Sequence, residues 1–246
     1  MSPNPATTNG TQPYIVETDP RWTAVDAFQF PQLFPPNRPH HAAITHAFDN
    51  SIAHGLEDIS VAPSQGKFLS IQCQIINAKH VLEIGTLGAY STIWMASAAP
   101  DIKVVSLEID PAIAEIAREN IRFAGMEGRI EVIVGAALDV LPTLAKDVEE
   151  GKREKFDFSF IDADKENAID YFNWAVKMTR AKGVVYVDNM VRKGLLADVQ
   201  LAKTDPNVRG IRTAVEGVGK DERVDACILQ TVGEKNYDGF LMAIVK

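Results

Sequence analysis

The alternation of short apolar runs with amphipathic stretches, from residue 80 onward, most constrains the fold of this chain. Segments with helical periodicity, such as PAIAEIARENIRFAG and NAIDYFNWAVKMT, separate five nearly continuous apolar runs. Such runs are typical of parallel strands that are buried on both faces and joined by crossover helices. The pattern therefore predicts repeated βαβ units, with strands at VLEIG, KVVSLEI, IEVIV, FDFSFID and GVVYVDN.

The two ends of the chain depart from this alternation. In VDACILQTVGEKNYDGFLMAIVK, two strand-like runs flank Gly233 to Gly239 with no helix between them, which predicts an antiparallel hairpin at one edge. Helical periodicity from about Pro39 to Glu57 and from Ser64 to Ala78 predicts two helices before the first strand. We expect an α/β fold with a doubly wound, mostly parallel, seven-stranded sheet and helices on both faces.

The N-terminal region has a different composition. About the first 15 residues are rich in Pro, Asn, Thr and Gly, which predicts disorder. The apolar residues of Trp22 to Phe34 lie between prolines, and we interpret this segment as an irregular arm that docks on an apolar surface, for example on a partner subunit. We therefore assign residues 1–55 to an N-terminal arm and helix and residues 56–246 to the main domain.

Composition excludes several classes of protein. The chain carries 25 Lys and Arg against 33 Asp and Glu, a net charge of −8, which argues against a nucleic-acid partner. It has no apolar run of the roughly 18–20 residues that a membrane helix requires. Cys73 and Cys227 form no disulfide or zinc pattern, and the N-terminus lacks the features of a signal peptide, so we expect a cytoplasmic protein.

The loop after the first strand, in HVLEIGTLGAYS, contains Gly85 and Gly88 and lets a ligand approach a helix N-terminus. A complete G-x-G-x-x-G fingerprint is absent, so a dinucleotide is not favoured, and a plain glycine turn is equally compatible. Glu108 ends the second strand, where an acidic side chain accepts hydrogen bonds from ribose hydroxyls. Glu108 and Asp110 are also compatible with the start of the next helix, but their position relative to the Gly85 loop favours a nucleoside.

Acidic residues also end the fourth and fifth strands. Asp162 and Asp188 stop neighbouring strands, and Asn189 adds a carbonyl oxygen, so three hard oxygen ligands converge in a set suited to Mg²⁺, Mn²⁺ or Ca²⁺. Capping of the following helix is the alternative role for each acid. Lys165 follows Asp162 by three residues and is placed to act as a base, or it is a solvated lysine at a helix start.

These segments together resemble the cation-dependent class I O-methyltransferases of the caffeoyl-CoA and catechol type, which use S-adenosylmethionine. The resemblance covers about residues 55–246. The segments that carry it are INAKHVLEIGTLGAYS, VVSLEID, VGAALDVLP, FDFSFIDADKEN and VVYVDN. It implies a Rossmann-like domain that binds S-adenosylmethionine and a divalent cation, with Mg²⁺ ahead of Mn²⁺ or Ca²⁺, and that forms a homodimer.

The resemblance also implies individual roles. The cofactor-binding positions are Val61, Glu83, Gly85, Thr86, Ser91, Glu108, Ala137 and Asp162: the glycine-loop residues hold the methionine part, Glu108 the ribose, and Ala137 lies by the adenine. The metal ligands are Asp162, Asp188 and Asn189. The substrate is contacted by Asp164 and Lys165, and the catalytic residues are Asp162 and Lys165, with Lys165 as the base.

Two departures from the family bear on the prediction. Members usually place a glycine directly before the Tyr-Ser pair, where this chain has Ala89. Members that act on CoA esters have N-terminal basic residues for the CoA phosphates, but before Lys67 this chain has only Arg21 and Arg38. We therefore predict methylation of one hydroxyl of a vicinal diol on a small phenol of catechol, flavonoid or caffeoyl type. The alternatives are a caffeoyl-CoA methyltransferase and a non-catalytic cofactor-binding module.

Other conspicuous residues are assigned to packing or to substrate choice. His40, His41 and His46 lack the spacing of a metal site, so we expect them to line the substrate pocket or to lie on a surface helix. The aromatic residues of the segment from Tyr171 to Val176 suit a helix that packs on the sheet. We expect the loop from Met190 to Leu196 to set substrate choice, with the N-terminal arm as a lid.

Overall fold

The five apolar runs and the C-terminal hairpin form one mixed sheet in a computed structural model, which describes residues 18–246. The segment predicted to be disordered lies outside the described residues. The strand order is β3-β2-β1-β4-β5-β7-β6, and β7 runs in the direction opposite to the other six strands. The predicted seven-stranded, doubly wound sheet is confirmed. Its strands are β1 (His80–Ile84), β2 (Lys103–Glu108), β3 (Ile130–Val134), β4 (Phe156–Ile161), β5 (Thr179–Val187), β6 (Val224–Val232) and β7 (Tyr237–Val245).

Helices cover both faces of the sheet. They are α1 (Pro20–Leu33), α2 (His41–Ala53), α3 (Pro63–Ile75), α4 (Tyr90–Ala96), α5 (Pro111–Phe123), α6 (Ala137–Glu149), α7 (Ala168–Met178) and α8 (Pro206–Val218), with short 3₁₀ turns at Leu195–Ala197 and Leu201–Lys203. Aspartates cap several of them: the side chain of Asp110 accepts hydrogen bonds from the first backbone N–H groups of α5.

The prediction of an irregular N-terminal arm is wrong, because residues 20–33 form the helix α1, so three helices precede the first strand rather than two. Asp19 caps this helix, and Pro20 occupies its first turn, where a missing N–H is tolerated. Pro31 falls in the last turn. The prolines around the apolar residues led to the interpretation of an irregular segment, although Pro20 is at a position that a helix favours.

The arm docks on its own chain. The Phe34 ring lies 4.6 Å from the Trp94 ring, and the Phe30 ring packs edge-on at 6.5 Å from it. Phe34 and Trp94 are buried in the core on one side of the sheet. The apolar surface that receives the arm is therefore the α3–α4 side of this domain.

Alternate residues of the central strands enter two separate cores. Val81 and Phe158 contribute to the core that also contains Leu69 and Trp94, whereas Leu82 packs in the core on the other face. Full burial of one such side chain contributes about 1.5–3 kcal/mol. The central strands are thereby fixed from both sides, and so are the loops at their ends.

None of the helices within residues 18–246 is long and apolar enough to cross a membrane. Both cysteines are free. Cys73 is buried in the core, and burial raises the pKa of its thiol to about 12. Cys227 is exposed on β6.

Candidate active site

The carboxyl ends of β1, β4 and β5 bring three predicted site residues together. Backbone hydrogen bonds continue the sheet beyond the strands: Asp162 N donates to Ile84 O at 2.8 Å, and Asp188 N donates to Ile161 O at 2.9 Å. The loops after the three strands therefore begin side by side. This is the edge at which open α/β sheets bind ligands.

A cavity of about 2630 Å³ opens at this edge. It exceeds the roughly 300–1,000 Å³ of a typical small-molecule pocket, so it has room for two ligands at once. All the predicted site residues except one line it, namely Val61, Gly85, Thr86, Ser91, Glu108, Ala137, Asp162, Asp164, Lys165, Asp188 and Asn189. The exception is Glu83, which lies beneath the glycine loop.

Glu83 is fully buried and acts from below the cavity. Its carboxylate accepts hydrogen bonds from Ser91 Oγ and Ser106 Oγ, each at 2.5 Å, and from Thr92 Oγ1. Ser106 in turn contacts Thr86 Oγ1 at 2.6 Å. Burial raises the pKa of Glu83 to about 7, although the hydroxyl donors oppose this shift. Glu83 therefore holds the loop in position, and Thr86 and Ser91 present its surface to the cavity.

Gly85 is required by both its conformation and its surroundings. Its φ of +99° favours glycine, and a Cβ atom there would lie 2.2 Å from the carbonyl oxygen of Asp162. The loop after β1 thus packs directly against the backbone of the loop after β4. A ligand held by the first loop is therefore placed beside Asp162.

The unusual order of the glycine loop has a structural explanation. A Cβ atom at Gly88 would lie 1.9 Å from Ser51 Oγ on α2, so close packing requires glycine at this position. Ala89 has a φ of +61°, which is why a glycine before the Tyr-Ser pair is the unstrained choice. The chain retains the left-handed backbone and accepts the strain of an alanine.

Glu108 faces the same loop. Its Oε2 accepts a hydrogen bond from Leu87 N at 2.9 Å, and its Oε1 accepts one from Asp110 N at 3.0 Å. Asp110, not Glu108, caps α5. The capping role thus belongs to Asp110, the Glu108 carboxylate is buried and fixed at the cavity wall, and its contact with ribose stays a prediction.

The predicted metal ligands offer only oxygen atoms. Asp188 is almost fully buried, and its pKa is raised to about 7, first by burial and then by the negative charge of Asp162. Asn189 donates its amide to Asp238 Oδ2 at 3.3 Å, which leaves its carbonyl oxygen available. Two carboxylates that repel each other, together with an amide oxygen, form a donor set that fits a divalent cation such as Mg²⁺.

Lys165 is buried beside this set. Its Nζ lies 3.0 Å from Asp162 Oδ1, and the side chain is only 7% exposed. Gly210 on α8 allows this arrangement, because a Cβ there would lie 2.1 Å from the carbonyl oxygen of Lys165. The lysine is therefore held at the cavity wall by close packing of α8, and it is not a solvated residue at a helix start.

Asp164 has a different environment from the metal ligands. It is exposed, and its carboxylate accepts hydrogen bonds from Tyr171 Oη at 2.5 Å and from Asn167 N at 3.2 Å. Tyr171 is buried as the sequence predicted, yet its hydroxyl also reaches the cavity wall. Asp164 thus organises the start of α7 and lines the cavity at the same time.

Asp238 on β7 is a site residue that the sequence analysis missed. Its Oδ1 accepts hydrogen bonds from Arg192 N at 2.7 Å and from Val191 N at 3.2 Å, while Oδ2 accepts from Asn189. Asn189 and Arg192 both have left-handed φ angles, 53° and 47°. One buried carboxylate therefore holds the strained loop after β5. An acid within the apolar run YDGFLMAIV was the available signal.

The two segments predicted to contact substrate both line the cavity. From the loop after β5 come Arg192, Lys193 and Leu195. From α1 come Thr23, Asp26 and Phe30. Asp26 Oδ2 accepts a hydrogen bond from Glu234 N at 2.8 Å, which ties the helix to the β6–β7 turn.

The histidines do not form a cluster within the described residues. The His41 ring stacks on Phe34 at 5.0 Å, and the His46 ring stacks on Phe123 at 3.6 Å. His40 has a left-handed φ and lies at the N-cap position, directly before α2. They contribute to packing, and of the three only His41 is at the cavity wall.

Comparisons with known proteins show the family of this chain. The O-methyltransferase family profile matches residues 39–242. The chain is 54% identical over 243 residues to O-methyltransferase imqG of Aspergillus flavus, covering 98% of each chain. It is 45% identical over 202 residues to a catechol O-methyltransferase of Niastella koreensis, covering 81% of this chain and 89% of the relative. An O-methyltransferase from Bacillus cereus, solved in complex with SAH, superposes with a TM-score of 0.83 at 44% identity, covering 92% of this chain and 99% of that one.

Proposed function

The chain belongs to the O-methyltransferase family and is an S-adenosylmethionine-dependent enzyme, and from this premise we propose that it requires a divalent cation and methylates one hydroxyl of a vicinal diol on a small phenol. One observation carries the proposal. Asp162, Asp188 and Asn189 converge on the wall of the same cavity as the Gly85 loop, with a backbone contact between that loop and Asp162.

The donor set is suited to the chemistry that a vicinal diol needs. When bound, a divalent cation supplies Lewis-acid polarisation that lowers the pKa of a phenol hydroxyl. Asp162, Asp188 and Asn189 would hold it through oxygen atoms. In its neutral form, Lys165 Nζ is the group placed to take the phenol proton, since it is buried beside Asp162.

Methyl transfer itself needs positioning more than further chemical groups. The phenol oxygen forms a bond to the methyl carbon while the carbon–sulfur bond of the sulfonium breaks, and a neutral thioether leaves. Gly85, Thr86 and Glu108 would fix the cofactor at one side of the contact with Asp162, and the metal ligands would fix the phenol at the other. Holding two reactants in line contributes a large part of the rate enhancement in such reactions.

A small phenol is favoured over a CoA thioester. Among the described residues, neither Arg21 nor Arg38 lines the cavity. Arg21 is instead paired with the capping carboxylate of Asp19 at 2.5 Å. The two basic residues that precede Lys67 are thus not placed to bind CoA phosphates.

The test is methyl transfer from labelled S-adenosylmethionine to a panel of catechols, flavonoids and caffeoyl esters, with Mg²⁺ and with EDTA. We expect transfer only in the presence of the metal, and a loss of at least a hundredfold in Asp162→Ala. Asp101→Asn is the matched control, because Asp101 is an exposed acid at the opposite end of the sheet. Its activity should equal that of the wild type.

Three results would contradict the proposal in different ways. Full activity in EDTA would show that the reaction does not require a divalent cation. A preference for caffeoyl-CoA would select the thioester alternative. Cofactor binding without methylation of any diol would favour a non-catalytic binding module.

A further inference from the structure

Arg192 stands out among the cations of the cavity because its guanidinium is not paired. Its Nε is shielded from solvent and has no hydrogen-bond partner, and within residues 18–246 the side chain forms no ion pair. In contrast, Lys165 is paired with Asp162, and Lys235 is paired with Asp58 at 2.5 Å. A partly buried cation without a counter-charge is costly unless a ligand supplies one.

The backbone of Arg192 is fixed with respect to the metal ligands. Its N–H donates to Asp238 Oδ1 at 2.7 Å, and the Asn189 amide donates to Oδ2 of the same carboxylate at 3.3 Å. Its φ of 47° is a left-handed conformation that a non-glycine residue adopts only when its surroundings impose it. Arg192 and Asn189 are therefore anchored to one carboxylate, so the Arg192 backbone is fixed beside Asn189, and its side chain lines the same cavity.

We propose that Arg192 binds a carboxylate carried by the phenol, on the part of the ring away from the diol. This inference rests on the proposed function and names its substrate class: catechols that bear a carboxylic acid. The planar guanidinium matches a carboxylate in a two-point contact, which an ammonium does not provide. A small free phenol can carry a carboxylate as its anionic group. A phosphate would instead imply a CoA thioester, which is the substrate type disfavoured above.

Two pairs of substrates test the inference because each pair differs only in charge. They are 3,4-dihydroxybenzoate with its primary amide, and caffeate with its primary amide, so two distances from the ring are sampled. The variants are Arg192→Met and Arg192→Lys. Methionine keeps a long side chain but removes the charge, and lysine keeps the charge but removes the planar guanidinium that makes a two-point contact. Arg209→Met is the control, since Arg209 is exposed on α8 and does not line the cavity.

We expect the wild type to favour at least one acid over its amide in kcat/KM, by about ten- to a hundredfold. Arg192→Met should lose that preference because kcat/KM falls for the acid and not for the amide. Arg192→Lys should retain part of the preference, and Arg209→Met should retain all of it. An equal loss for acid and amide, or no preference in the wild type, would overturn the inference. A loss confined to caffeoyl-CoA would also overturn it, because the anion would then be a phosphate.

A binding measurement separates this inference from the proposed function. Titration calorimetry with 3,4-dihydroxybenzoate and its amide, in the presence of SAH and Mg²⁺, gives dissociation constants without turnover. If no diol is methylated but the acid binds tighter than the amide only when Arg192 is present, the inference holds and the proposed function fails. If diols are methylated and Arg192→Met binds acid and amide as the wild type does, the proposed function holds and the inference fails.

Discussion

Glu83 acts on the site without touching the cavity. Three hydroxyl groups, from Ser91, Thr92 and Ser106, donate to its carboxylate. Two of these residues belong to the first turn of α4, and the third lies on β2. The carboxylate thus joins the glycine loop to the neighbouring strand. The cofactor-binding role that the resemblance implies for Glu83 stays a prediction; in the structure its carboxylate holds Ser91 and Ser106, and Ser106 contacts Thr86.

The titration of Glu83 should make stability depend on pH. Its pKa rises from 4.5 to about 7 on folding, because burial disfavours the charge. A raised pKa contributes stability that is complete below pH 4.5 and is lost as pH rises to about 7. We expect the free energy of unfolding of the wild type, relative to Glu83→Gln, to fall by about 3 kcal/mol over this range. Urea unfolding of both proteins at several pH values measures the difference, and parallel curves would contradict it.

Asp238 has a comparable role on the other side of the site. It holds Asn189 and the backbone of Arg192 through separate oxygen atoms. We expect Asp238→Asn to weaken Mg²⁺ binding by about ten- to a hundredfold, since groups that orient metal ligands have effects of this size. Titration calorimetry with Mg²⁺ measures it, and Asp225→Asn on the exposed face of β6 is the control. Unchanged Mg²⁺ affinity would show that the loop is held by other contacts.

At the level of secondary-structure elements, the sequence predicted the sheet better than the N-terminal arm. Continuous apolar strands such as FDFSFI are distinctive, because both faces are buried and the next residue, Asp162, is polar. In α1, by contrast, no residue is fully buried, so the apolar periodicity that identifies a helix is weak. The helix is capped by Asp19, and Phe30 and Phe34 at its C-terminal end pack on Trp94. Because Trp94 is about 60 residues further along the chain, a local sequence pattern does not reveal these contacts.

The same reasoning explains which site residues were predictable. Asp162 and Asp188 end their strands, so topology alone brings them together. Asp238 lies in an antiparallel strand that no βα repeat predicts, whereas Arg192 belongs to the loop after β5 that the sequence did assign to substrate choice. Strand ends can be located from a pattern, but contacts between loops cannot.

The contact between the first and fourth βα loops should be sensitive to a single methyl group. In Gly85→Ala the new Cβ would meet the Asp162 carbonyl oxygen, in addition to the cost of a left-handed alanine. Gly55→Ala is the matched control, because Gly55 has a φ of +80° with open space around it. We expect Gly55→Ala to cost about 1–2 kcal/mol of stability and to leave SAH affinity unchanged.

Gly85→Ala should cost more stability than Gly55→Ala and should weaken SAH binding at least tenfold, since the cofactor loop must move away from Asp162. Thermal unfolding and calorimetric titration with SAH provide the two measurements. Equal behaviour of the two variants would mean that the loops do not depend on this close approach.

On the scale of the whole molecule, the cavity opens at one edge of the sheet, and α1 leaves an apolar surface outside it. Val25, Phe28 and Leu33 on α1 are each more than 60% exposed. Isolated apolar residues at a surface are ordinary, but three on one helix that has no buried residue indicate a contact surface. We propose that this face of α1 takes part in a homodimer, as the family resemblance implies.

Light scattering at micromolar concentration tests the dimer. The wild type should have twice the mass of one chain, and Phe28→Asp should have the mass of a single chain, because a buried carboxylate at an apolar interface is strongly unfavourable. Phe123→Asp, a similar change at an exposed position on α5, should remain dimeric. A monomeric wild type would contradict the proposal. Residues of α1 also line the cavity, so dimerisation can affect substrate binding. If monomeric Phe28→Asp has an altered KM and an unchanged kcat, the dimer helps to position the side of α1 that faces the substrate.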